Sequence, residues 1–132
     1  MLVDASVWIS AIRSADTHHT VSRAWLARQI QAQLPLYAPV IVLPEVAGPL
    51  ARMTGRPQTG LNGLRQVQTL ANLIGVDLAL AQEAGDLAAN LRIRGADAVY
   101  VAAAKRLSLP LVTWDTQVLA RASAVIQVIE PV

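Results

Sequence analysis

The chain contains no cysteine and no phenylalanine, only one lysine, and no long unbroken apolar run. Each absence removes a class of protein. Without cysteine there are no disulfides and no thiolate metal sites, which fits a reducing compartment. The longest apolar stretch, 36–51, is broken by Pro39, Pro44, Glu45 and Pro49, too short and interrupted to cross a bilayer. The opening Met1-Leu2-Val3-Asp4 has neither the basic nor the apolar segment of a secretory signal. A soluble cytoplasmic protein with no membrane partner is expected. Charge is scarce too: 15% of residues are charged and 54% hydrophobic, the balance of a chain with a core. At 132 residues, a single domain over 1–132 is expected. Ten of the eleven basic residues are arginine, which suits bidentate phosphate contacts. A net charge of +2 identifies no nucleic-acid partner by itself, and a GC-rich genome also favours arginine.

What is present is an alternation of short apolar runs with helical patterns. Strands are predicted at 1–3, 36–38, 74–78, 109–113 and 125–129. Helices are predicted at 7–12, at 18–33 with Val21, Trp25 and Ile30 inward, and from Pro39 to near Gly55. After a loop at 56–60, a helix with Leu61, Leu64, Val67 and Ala71 on one face runs to about Asn72. The clearest amphipathic face is Leu80, Ala84, Leu87, Ala88 and Leu91, with Arg92 and Arg94 in its last turn and Gly95 as its stop. An alanine-rich helix follows at 95–105, and a short one begins at Asp115. Apolar strands alternating with helices predict an α/β domain of three layers, α/β/α, around a parallel sheet.

Nine residues are acidic, few enough to weigh one by one. Asp16, Glu83, Asp86 and Glu130 lie in polar or terminal settings, and Asp77 can simply end a strand. Asp4, Glu45, Asp97 and Asp115 have apolar neighbours instead. Asp4 and Asp115 follow apolar strands, at the ends where open parallel sheets bind ligands. Asp97 opens the alanine-rich helix. Glu45 lies within Val40-Ile41-Val42-Leu43-Pro44-Glu45-Val46-Ala47, where an unpaired carboxylate is costly to bury. Each has an ordinary alternative: Asp4, Asp97 and Asp115 as helix caps or first-turn acids, Glu45 as a first-turn acid after Pro44. Taken together, acids gathered on one sheet edge repel and cannot all stay ionised without a cation. All-oxygen ligands select a hard ion, Mg²⁺ or Mn²⁺. Ser6 and Thr113 stand two residues from Asp4 and Asp115, so either hydroxyl can orient its carboxylate; capping and strand propensity explain them equally well.

Val3-Asp4-Ala5-Ser6, Pro44-Glu45-Val46, Gly95-Ala96-Asp97-Ala98 and Thr113-Trp114-Asp115, in that order over nearly the whole chain, resemble the PIN-domain nucleases. The likeness is greatest to the small VapC-type toxins of toxin–antitoxin pairs. That resemblance implies a five-stranded parallel sheet, Mg²⁺- or Mn²⁺-dependent endoribonuclease activity on RNA, a homodimer, and inhibition by a small antitoxin. It makes Asp4, Glu45 and Asp97 the principal metal carboxylates, completed by Asp115 and supported by Ser6 and Thr113. Two other readings stay open: a housekeeping RNA-processing nuclease, and a non-catalytic module that binds an antitoxin. A phosphoacceptor domain fits poorly, because its lysine would end a late strand and Lys105 lies in a helix. A phosphatase of the Asp-x-Asp type is excluded by Ser6. His18 and His19 read as a solvated helix start. Arg52, Arg56, Arg92, Arg94, Lys105 and Arg106 read mostly as cations at helix C-termini, and Trp8 and Trp114 as core fillers.

Overall fold

The computed structural model describes residues 1–132. Five strands form one sheet: β1 (Leu2–Val3), β2 (Leu36–Pro39), β3 (Ala71–Ile74), β4 (Leu111–Val112) and β5 (Val128–Ile129). Every neighbouring pair is parallel, in the order β3-β2-β1-β4-β5. The chain therefore begins in the middle of the sheet, winds outward through β2 and β3, then returns to build β4 and β5 on the other side. Between β1 and β4 the winding reverses, and the crevice beyond the carboxyl ends of such strands is where ligands bind in open α/β sheets.

Seven helices cover the sheet: α1 (Ala5–Ile12), α2 (His19–Gln31), α3 (Val42–Thr54), α4 (Pro57–Leu70), α5 (Leu78–Leu91), α6 (Gly95–Leu107) and α7 (Thr116–Ala122). Helix α6 is the centrepiece. It lies against β1, β2 and β4, and Ala98 and every residue from Tyr100 to Ala104 are buried. Alanine methyls let its backbone come close to the strands, and burying a side chain such as Val101 contributes roughly 1.5–3 kcal/mol. Close approach recurs between α3 and α4. Gly60 faces α3 so tightly that a Cβ there would collide with the Ala47 carbonyl.

Several boundaries differ from the sequence expectation, each for a local reason. Pro39 does not open a helix; it closes β2 in register with Ile74, and α3 starts at Val42. The 56–60 segment is not a loop, because Pro57 takes the first position of α4, where its missing N–H costs nothing. The third strand is Ala71–Ile74 rather than 74–78, and Asp77 caps α5 by accepting from the Leu80 N–H at 2.8 Å. Val21 and Ile30 are exposed, and α2 instead buries Ser22, Trp25 and Leu26. Leu61 is exposed as well, with Gly60, Gly63 and Val67 facing inward. Gly95 does not stop α5. That helix ends at Leu91, Arg92 takes the left-handed conformation (φ 54°), and Gly95 is the first residue of α6.

Candidate functional site

Strand register builds the site. Leu2 pairs with Leu111 and Val3 with Val112, so Asp4 and Thr113 emerge side by side beyond the carboxyl ends of β1 and β4. The Asp4 N–H donates to the Val112 carbonyl at 3.0 Å, extending the ladder by one step. Thr113, fully buried, donates its hydroxyl to Asp4 Oδ2 at 2.8 Å. Ser6 donates to the same oxygen at 2.5 Å, and its N–H reaches it at 3.3 Å. Both hydroxyls also serve the other side of the crevice: Thr113 Oγ1 accepts from the Asp115 N–H at 3.0 Å, and Ser6 Oγ from the Trp114 N–H at 3.1 Å. Asp4 is thus the N-cap of α1, but its bonds exceed what a cap requires. All three converge on Oδ2, leaving Oδ1 with no partner in the protein.

Glu45 stands in the first turn of α3 and accepts from the Tyr100 hydroxyl of α6 at 2.7 Å. Burial pushes both the Asp4 and the Glu45 carboxyl above their ordinary range. At Asp4 the two hydroxyls pull the other way, and the charge of Asp97 adds to the rise. At Glu45 the Tyr100 bond and, less strongly, the Arg94 charge oppose it, while the charges of Asp4 and Asp97 reinforce it. The carboxylates of Asp4, Glu45 and Asp97 thus lie near enough for their charges to act on one another. Tyr100 in turn is held far above the ordinary phenol range by burial and by the charges of Asp4 and Glu45, so it stays a donor.

Asp97 and Asp115 are handled differently. Asp97 sits in the first turn of α6, and Asp115 caps α7 through Oδ1, which accepts from the N–H groups of Gln117 (2.8 Å) and Val118 (3.0 Å). Arg94 joins them. Its Nε donates to Asp97 Oδ2 at 2.8 Å and its Nη2 to Asp115 Oδ2 at 2.8 Å, with a longer 3.4 Å contact to Asp97 Oδ1. The expectation that Arg94 serves a helix C-terminus is therefore corrected: it is the residue that caps the start of α6, and its cation belongs to the acid edge. Tyr100 is the polar partner that sequence reading passed over, and Arg94 the one it placed at a helix C-terminus instead. Their spacing carried a signal, since each lies three residues from Asp97 and so on its side of the helix.

The donor set suits a hard divalent cation: four carboxylates, two hydroxyls and no sulfur. Asp4 Oδ1 and Glu45 Oε1 have no hydrogen-bond partner in the protein, and burial first, then like charge, raises both carboxyls. As the side chains stand, no three of them converge closely enough to hold a metal ion.

The remaining candidates make other contacts. His18 stacks on Trp114 with ring centroids 3.9 Å apart, and the Trp114 indole N–H donates to Ser22 at 2.8 Å. Trp114 is thus only partly a core residue, whereas Trp8 is fully buried. Arg106 pairs with Glu83 at 2.9 Å on the surface. No helix is long and apolar enough to cross a membrane.

Comparison with solved structures finds the same fold repeatedly. The sarcin–ricin-loop-cleaving toxin VapC20 of Mycobacterium tuberculosis superposes with a TM-score of 0.76 at 18% identity, over 90% of this chain and 92% of that one. The DNA-bound VapBC of Salmonella typhimurium gives 0.76 at 16% identity, over 99% and 97%. FitAcB of Neisseria gonorrhoeae gives 0.71 at 21% identity, over 98% and 96%. No curated protein matches. The family profile described as PIN domain matches residues 1–125. With that profile spanning nearly all of the sequence and a five-stranded parallel sheet in place, the chain belongs to the PIN domain family.

Proposed function

We propose that this single domain, residues 1–132, is a Mg²⁺- or Mn²⁺-dependent endoribonuclease of the cytoplasm, the toxin of a toxin–antitoxin pair. The observation that carries the reading is Asp4. A carboxylate that only capped α1 would not need two further hydroxyls, a buried setting and like-charged neighbours, with one oxygen left open.

Asp4, Glu45 and Asp97 would hold the cation, with Asp115 completing the set. When bound, it would supply Lewis acidity, making water nucleophilic at neutral pH and neutralising charge that develops on a phosphodiester. The chain's own residues do the rest. Ser6 and Thr113 fix Asp4 Oδ2, so that Oδ1 points to one place. Tyr100 fixes one oxygen of Glu45 and leaves the other free to accept a proton. Thr113 couples the two sides of the crevice, because one hydroxyl serves both Asp4 and the Asp115 backbone.

The test is cleavage of mixed RNAs by the purified chain with Mg²⁺ or Mn²⁺, with and without EDTA. Asp97→Asn should lower cleavage by more than about a hundredfold with the fold intact, since replacing even a residue that supports a ligand costs 10–100-fold. Cleavage at the wild-type rate by this variant would sink the site assignment.

An antitoxin partner is supported by the neighbours, several of which are toxin–antitoxin complexes. Trp8, Ile12, Leu26, Ile30 and Leu70 line an apolar groove between α1, α2 and α4, the surface we assign to a small amphipathic antitoxin. A homodimer is part of the same proposal. A short reading frame immediately upstream, encoding such a partner, would favour the toxin over a housekeeping RNA-processing nuclease. RNA binding without cleavage in any metal would favour a non-catalytic module.

A further inference from the structure

Arg94 faces the acid edge from the solvent side. Its side chain is 73% exposed, against 14% for Asp97 and 22% for Asp115, so the guanidinium lies across two recessed carboxylates. Local backbone puts it there. Arg92 in the left-handed conformation turns the chain out of α5, and Arg94, extended at the start of α6, makes no side-chain cap of its own. The whole donor fork is therefore free for the acids. The oxygens it takes are the ones a cation would need: both of Asp97, and the one Asp115 oxygen not committed to capping α7.

Two chemistries explain such a bridge. As a structural strut, Arg94 would preset the spacing of Asp97 and Asp115 and help a cation to bind. As a counter-ion it would neutralise them beforehand and have to leave. Exposure decides between them. An ion pair this open to water is weak and easily exchanged, whereas a strut has to be rigid. Charge points the same way, because a guanidinium and a divalent cation on the same oxygens repel.

Resting on the metal-site reading above, we infer that Arg94 is a resident counter-ion for Asp97 and Asp115, which a divalent cation displaces on binding. It is a positioning residue that sets the metal affinity of the site. Its counterpart at Asp4 and Glu45 is a set of hydroxyls, which a cation need not displace.

The experiment is calorimetric titration of the EDTA-treated, dialysed full chain with MnCl₂, for wild type, Arg94→Gln, Arg94→Lys and Asp97→Asn, with circular dichroism as the fold check. Arg94→Gln should bind Mn²⁺ on the order of tenfold more tightly, the weight of one unit charge removed beside the ion. Its metal-free form should melt lower than wild type and gain more on adding Mn²⁺. Arg94→Lys, which keeps the charge but loses the fork, should fall between the two. Equal or weaker Mn²⁺ binding by Arg94→Gln, with wild type binding normally, would overturn the counter-ion role and leave the metal site standing. No Mn²⁺ binding by wild type or either arginine variant would overturn the metal site itself, and this inference with it.

Discussion

The two halves of the acid edge solve one electrostatic problem in different ways. Asp4 and Glu45, beyond β1 and in α3, are satisfied by neutral donors: Ser6, Thr113 and Tyr100. Asp97 and Asp115, at the starts of α6 and α7, are satisfied by a cation and, for Asp115, by backbone N–H groups. Hydroxyls orient a carboxylate without cancelling its charge, so the first pair stays hungry for protons or metal. Arg94 cancels charge, and so relieves the second pair. In the metal site proposed above, one half is preset by neutral donors and the other is provisionally paired with a cation.

The sharpest way to break this contrast is Thr113→Val, which keeps the shape and removes the hydroxyl. The Asp115 N–H loses its acceptor and Asp4 loses a donor inside a buried pocket. Activity or metal affinity should fall about 10–100-fold, with a stability loss of about 1–3 kcal/mol for the unpaired buried group. Wild-type values in both assays would show that Thr113 is an ordinary strand residue.

Tyr100→Phe probes the hydrogen bond to Glu45 alone. Removing a bond to a charged group costs about 1.5–3 kcal/mol, and Glu45 should then titrate still higher, because the Tyr100 bond is the larger of the two influences, with the Arg94 charge, that oppose its rise. A carboxyl-resolved NMR titration reads this directly. An unmoved Glu45 would mean that the tyrosine only fills space.

pH gives the smallest effect and separates the halves most cleanly. Asp4 and Glu45 titrate above their ordinary values in the folded protein. Between the unfolded and folded values the native state therefore binds more protons, and stability falls as pH rises. The metal-free protein should melt at a higher temperature as pH is lowered from neutral toward the carboxylate range, down to the unfolded values. Asp4→Asn should flatten that slope. Saturating Mn²⁺ should reverse it, because the cation needs the deprotonated acids. A metal-free melting temperature that drops steadily on acidification would contradict the hydroxyl-held half.

Much of the fold was legible because its signals are local. The apolar run at 1–3, the Leu80-to-Leu91 face and the alanine helix at 95–105 each need one partner surface and state it in their own periodicity. Three of the misplaced boundaries were at Pro39, Pro57 and Gly95, where proline or glycine admits two opposite uses and only neighbouring strands or helices choose between them. Val21 and Ile30 misled for a different reason. Both are exposed on α2, Ile30 along an open groove, and a sequence does not say which apolar residues are left uncovered.

The sequence by itself determined which residue types stand at the carboxyl ends of the strands and the starts of the helices. Four carboxylates and two hydroxyls, with no cysteine, limit any metal site they form to oxygen ligands, which favour a hard ion. Tertiary structure alone decided how each charge is met. The bonds from Thr113 to Asp4, Tyr100 to Glu45 and Arg94 to Asp115 span 109, 55 and 21 positions. No local pattern encodes them, because a hydrogen bond depends on ångström distances that only strand register and helix packing set.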